Sequence, residues 1–128
     1  NLPSYQEMES KLAELITLYP DHKILIQSDE NEFYEYFNEK YNNLIFIDEI
    51  LKMNNNPWNS IQYTVPTGNK VKNAQVFLAI MLIMSNCDSI VLNSGNVGLW
   101  ICLFRGNNKK VHQFLHQKDS TEKNWYTT

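Results

Sequence analysis

The stretch that decides the fold is DSIVLNSGNVGLW, residues 88–100. Asp88 leads into a short apolar run of strand length. The polar turn Asn93-Ser94-Gly95-Asn96 follows, and then a second apolar run that continues to Phe104. That second run is helical in character and ends near Arg105-Gly106. A strand and a helix are thus joined by four small or polar residues, and VHQFL at 111–115 reads as a last strand.

Helices and strands alternate towards the N-terminus as well, with no internal repeat visible. Residues 5–19 form an amphipathic helix, with Ser4 and Glu7 spaced as a capping box and Met8, Leu12, Leu15 and Ile16 on one face. Pro20-Asp21 ends it. KILIQ (23–27) is a strand, residues 32–41 a helix rich in Phe and Tyr, and NLIFI (43–47) a second strand. Residues 52–70, with Pro57, Pro66, Gly68 and three consecutive asparagines at 54–56, form a long loop, a length that is uncommon inside compact domains. Residues 72–84 are helical and apolar nearly all round, which predicts packing on most sides. The order of elements predicts an α/β fold: one Rossmann-like domain over residues 1–128, with a parallel sheet and helices on both faces.

Composition sets limits on function. A chain of 128 residues is the size of one domain and buries a real core. A net charge of −3 argues against a nucleic-acid partner, and the basic residues Arg105, Lys109 and Lys110 read as a solvated loop. No apolar run reaches the length of a membrane span, and residues 1–4 lack the features of a signal peptide. The absence of an initiator Met suggests a piece of a longer chain. Cys87 and Cys102 form no CxxC pair and sit among apolar residues as small hydrophobes, which points to a reducing, cytoplasmic compartment.

In open α/β sheets, ligands bind beyond the carboxyl ends of the strands. That rule selects Ser28-Asp29-Glu30 and Asn93-Ser94-Gly95-Asn96. In the second turn, Gly95 permits positive φ and a close ligand approach, and free amides at the helix start favour an anion. Ser94 and Asn96 add donors. The alternative is that Asn or Ser simply caps the helix, and spacing alone favours it, since the turn is neither GxGxxG nor a P-loop. Asp29 and Glu30 diverge on a loop: one bonds a sugar hydroxyl, or Asp29 caps the next helix, the plainer of the two. His112 and His116 are four apart, but on a strand-like segment without a third ligand in sequence reach. Trp58, Tyr63, Trp100 and Trp125 are able to stack on a sugar or base, and Trp100 fits the core better.

With these segments placed, LPSYQEM, ILIQSDENEF, FLAIMLIMSNCDSIVLNSGNVGLW and LFRGNNKKVHQFL, in this order, resemble the C-terminal half of the fucosyltransferase superfamily. The most specific piece is the apolar helix, Met84-Ser85-Asn86-Cys87-Asp88, the strand and the small polar turn. The resemblance implies one half of a GT-B-like enzyme that binds a GDP-sugar such as GDP-fucose. Such an enzyme transfers the sugar by inverting displacement to a glycan or protein acceptor, without a metal cofactor and together with an N-terminal half. It places Asp29 and Glu30 near the donor and the turn Ser94, Gly95 and Asn96 at the β-phosphate. Two features depart from the family. Ile80 stands where an aspartate reads the guanine, leaving Gln75 as the nearest polar candidate, and nothing matches the H-x-R-type segment that neutralises the leaving diphosphate. A non-catalytic α/β interaction module of a larger protein, presenting residues 58–63, is the alternative.

Overall fold

The computed structural model describes residues 3–48, 69–93 and 95–114. Its elements run α1 (Tyr5–Leu18), β1 (Ile24–Ile26), α2 (Asn31–Asn38), β2 (Leu44–Phe46), α3 (Lys70–Ser85), β3 (Ile90–Asn93), α4 (Asn96–Arg105) and β4 (Val111–Phe114). All eight expected elements are present in the expected order. Two βαβ units result. β1 pairs parallel with β2, Ile24 opposite Leu44, and β3 pairs parallel with β4, Ile90 opposite Val111. The fold is therefore mixed helix and strand with small parallel sheets. Among the described residues the strands form two separate two-stranded sheets, where the sequence led us to expect one continuous sheet. The expected loop falls almost wholly in residues 49–68, outside the described residues.

The chain divides into two units, residues 21–79 and residues 1–20 with 80–128. In the first, α2 turns its aromatic side inward and buries Phe33, Tyr34 and Phe37. The Phe33 and Phe37 rings lie 4.7 Å apart, and Tyr34 meets Phe46 of β2 at 5.3 Å. The phenol of Tyr34 also fixes the loop after β1. It donates to the Ser28 carbonyl and accepts from the Ser28 N–H, both at 2.8 Å.

In the second unit, Met81, Ile90, Leu92 and Ile101 form the core, with Met84, Cys87, Cys102 and Val111 packed against it. The capping box of α1 forms as expected: Ser4 Oγ accepts from the Glu7 N–H at 3.2 Å, and the Glu7 carboxylate accepts from the Ser4 N–H at 2.7 Å. The Ser4 N–H and the Ser4 hydroxyl, which donates to the same carboxylate at 2.8 Å, favour its charged form and hold the Glu7 pKa below its usual value. α1 lies against β3, and its apolar stripe is half-buried with no residue fully covered. A two-stranded sheet is too narrow to bury a whole helix face.

Two burial expectations are corrected. α3 is apolar all round, yet it buries only Ile80, Met81 and Ser85, while Val71, Phe77, Leu78, Leu82 and Ile83 are exposed. Trp100 is 51% exposed instead of core. α4 buries Gly98 and Ile101, and at about 100° per residue Trp100 lies roughly 200° round the helix from Gly98, on the opposite face.

Candidate functional site

Both turns selected from the sequence lie at carboxyl ends of parallel strands. They belong to different units: Asp29, Glu30 and Gln75 to residues 21–79, Gly95 and Asn96 to the other.

After β1, the Ser28 hydroxyl accepts from the Glu30 N–H at 3.1 Å, and Tyr34 holds the Ser28 backbone from the other side. The helix then starts one residue earlier than the sequence suggested. Glu30 is the N-cap of α2, with no side-chain capping bond. Asp29 is not the N-cap, since the chain enters the helix one residue later, through Glu30. The Asp29 side chain is exposed and Glu30 is half-buried. Gln75 is exposed on α3. Ile80, where the resemblance implied a guanine-reading aspartate, is only 3% exposed, so the fold uses that position for packing.

After β3, Gly95 is the N-cap of α4 and Asn96 its first helical residue. Ser94 lies outside the described residues. Gly95 has φ 170 and ψ 169, which is extended backbone, so the positive φ expected there is not used. Its value is space: a Cβ built on Gly95 would meet nothing within 4 Å. The first bond of the helix runs from the Leu99 N–H to the Gly95 carbonyl at 3.2 Å. Among the described residues, no backbone hydrogen bond takes up the amides of Asn96, Val97 or Gly98. Asn96 and Val97 are exposed, Gly98 is buried, and the N-cap makes no side-chain capping bond. These amides carry the positive end of the helix dipole. The positive φ of α4 occurs at its other end, where Gly106 at φ 73 donates to the Cys102 and Leu103 carbonyls.

The basic residues near the end of α4 divide in role. Arg105 is half-buried and donates to backbone carbonyls: Ser85 at 3.1 Å, Asp88 at 3.0 Å, Lys109 at 3.3 Å, and Cys87. It is a structural clamp and no part of a solvated loop. Lys110 places its ammonium 4.8 Å from the centre of the Tyr19 ring. Burial pushes the Cys87 and Cys102 thiols above their usual range, and the nearby Arg105 charge opposes this at both.

Sequence reasoning missed Tyr34 and Arg105 as the residues that set the two loops. Arg105 reaches backbone 17 to 20 residues back and Tyr34 folds back six residues onto Ser28, and neither contact follows a helix or strand period. His112 lies in β4; His116, Trp58, Tyr63 and Trp125 lie outside the described residues. No helix among the described residues is long and apolar enough to cross a membrane. No protein-family model matches the chain, no curated protein matches it significantly, and no solved structure does either.

Proposed function

We propose that the chain is the nucleotide-sugar-binding part of a fucosyltransferase-like glycosyltransferase, with a Rossmann-like architecture of the GT-B kind. The observation behind this is the start of α4: a strand end, a glycine with open space around it, and exposed helix-opening amides that no described carbonyl engages. A diphosphate seats there by accepting from the amides of Asn96 and Val97, with the Asn96 side chain as a further donor. Asp29, Glu30 and Gln75, which belong to the other unit, are donor-side residues on the family resemblance alone, Asp29 as an acceptor for a sugar or ribose hydroxyl. The donor is a GDP-sugar, the acceptor a glycan or protein, and the transfer needs no metal. An N-terminal half supplies the cation for the leaving diphosphate, because Arg105 is committed to backbone carbonyls. The free thiols of Cys87 and Cys102 fit a reducing compartment such as the cytoplasm.

Calorimetric titration with GDP-fucose, GDP and UDP tests this. GDP-fucose and GDP should bind with millimolar or better affinity, and UDP more weakly. Silence from all three at millimolar concentration overturns the proposal.

A second reading, a non-catalytic interaction module, draws on the apolar surface of α3 and α4. Val71 is 73% exposed and Leu103 58%, and Trp100 and Leu82 are exposed as well. Apolar surface of this kind marks interaction sites. Nucleotide silence together with stable assembly through Trp100 and Leu103 would favour it.

A further inference from the structure

A cleft opens at the amino end of β3, within the unit that contains α1. Its volume is about 270 Å³, just under the roughly 300 Å³ at which small-molecule sites begin. Lys11, Glu14, Leu15 and Leu18 of α1 line one side together with Tyr19. Ser89, Ile90, Lys110, Val111 and His112, at the amino ends of β3 and β4, line the other.

Lys110 is the unusual member. Its φ is 56, the only positive φ of a non-glycine among the described residues. L-residues other than Gly, Asn and Asp seldom adopt this conformation. The turn demands it. The Asn107 side-chain oxygen accepts from the Lys109 N–H at 3.0 Å, the Val111 N–H donates to the Asn108 carbonyl at 3.3 Å, and the Ile90 N–H donates to the Lys110 carbonyl at 3.0 Å. Asn107 and Asn108 stand immediately upstream, yet lysine occupies the left-handed position. The backbone would be better served by glycine or asparagine, so the side chain accounts for the choice. That side chain holds its ammonium over Tyr19 at the cleft.

The other polar groups converge on the same space. Lys11 pairs with Glu14 at 2.7 Å, and the Glu14 side chain is 56% exposed. The Ser89 hydroxyl is buried without a hydrogen-bond partner among the described residues. Burial and the Lys11 charge push the His112 imidazole below its usual pKa, with Glu14 opposing, so it is neutral near pH 7. Two ammoniums against one carboxylate leave the cleft positive, beside apolar walls from Leu15, Leu18 and Val111.

We propose that this cleft binds a small organic anion, a phosphate or carboxylate on a short apolar body, gripped by Lys11 and Lys110. The charged end sits between the two ammoniums within reach of His112. The apolar body lies against Leu15, Leu18 and Val111, beside the Tyr19 ring. The site is distinct from the proposed diphosphate seat, since β3 begins at this cleft and ends before the Gly95 turn.

The test is an NMR titration of the full chain, following the His112 ring protons and the amides of Ser89 and Val111. Phenyl phosphate, benzoate and inorganic phosphate serve as separate probes at constant ionic strength. Saturable shifts with the two aromatic anions are expected, with inorganic phosphate weaker by about tenfold for want of an apolar body. Lys110→Gly and Lys110→Asn both suit the left-handed backbone. Each should keep or raise the melting temperature while weakening phenyl phosphate by about tenfold, the loss expected for one charge-assisted contact. Absence of saturable shifts, unchanged affinity in both variants, or equal binding of inorganic phosphate would each overturn the proposal. So would unfolding of both variants, which would make Lys110 a purely structural residue.

Discussion

Arg105 reaches across 17 residues of sequence to donate to the Asp88 backbone carbonyl at 3.0 Å, and to Ser85 at 3.1 Å. The end of α3, the start of β3 and the turn before β4 are thereby held by one guanidinium, since Lys109 accepts from it too. Helix ends leave carbonyls without intrahelical donors, and here an arginine from the next helix supplies them. Arg105→Met keeps much of the apolar stem and removes the donors. It should destabilise the chain by about 3 kcal/mol, because partly buried carbonyls lose charge-assisted partners. Arg105→Lys should recover little, since an ammonium cannot span the same fork of acceptors. Urea denaturation of the three proteins gives the answer; equal midpoints would remove the clamp from the account.

α4 separates packing from surface within a single helix. Ile101 is 1% exposed and sits in the core with Met81, Ile90 and Leu92. Ile101→Ala should lower stability by about 3 kcal/mol through lost transfer energy and a cavity. Replacing the exposed Trp100 by serine should change it by no more than about 0.5 kcal/mol. Thermal melts of the two variants check this. A large loss from Trp100→Ser would mean that its ring is covered in the isolated chain.

The contrast between Ile101 and Trp100 also shows what the sequence made legible. Periodicity found every helix and strand among the described residues, because the 3.6- and 2-residue repeats are local properties of the chain. The capping box was readable for the same reason: Ser4 and Glu7 meet within one helical turn. Burial was not readable for α3 or Trp100, since it depends on how much sheet is available to cover a helix. Two separate two-stranded sheets cover much less than the continuous one the alternation suggested. At the candidate site, the position of Gly95 at a strand end was legible, whereas its φ was not, since glycine permits both the positive and the extended value. The cleft between α1 and the starts of β3 and β4 joins segments some 70 to 100 residues apart in sequence, and no motif announces it.

The thiols give a chemical check on the same core. Burial raises the pKa of both Cys87 and Cys102, against the pull of Arg105, so less thiolate is present at neutral pH than in a free cysteine. Iodoacetamide at pH 7.5 should alkylate both more slowly in the folded chain than in urea, with mass spectrometry reading the extent. Labelling at the unfolded rate would contradict the packing of these residues against the core.

His112 sets a pH dependence with a definite sign. Its folded pKa lies below the ordinary 6.5, chiefly through burial and then through Lys11, with Glu14 opposing. Lys110 and Tyr19 also line the cleft it faces. As pH falls below about 6.5, the unfolded chain takes up the proton first. The contribution is therefore fully present above that value and is lost as pH falls through the folded pKa. Melting temperatures from pH 7.5 down to 5 should decline less in His112→Gln than in the parent chain, the other histidines being common to both. Parallel profiles would show that His112 titrates as it does in water.

Gly95→Val separates the proposed diphosphate seat from the fold that carries it. The extended backbone at Gly95 accommodates any residue, and a Cβ there meets no atom within 4 Å. Valine should therefore leave the melting temperature within a few degrees of the parent, a change of no more than about 0.5 kcal/mol. It would, however, place two methyl groups over the amides of Asn96 and Val97, where the phosphate oxygens must approach within about 3 Å. GDP binding by calorimetry should fall by at least about tenfold, the equivalent of one lost charge-assisted contact. Gly95→Ala, with a single methyl, should fall between the two. A stable Gly95→Val protein that binds GDP as well as the parent would move the nucleotide away from the start of α4. Binding lost together with the fold would instead show that β3 leaves this turn less room than the open space around Gly95 indicates.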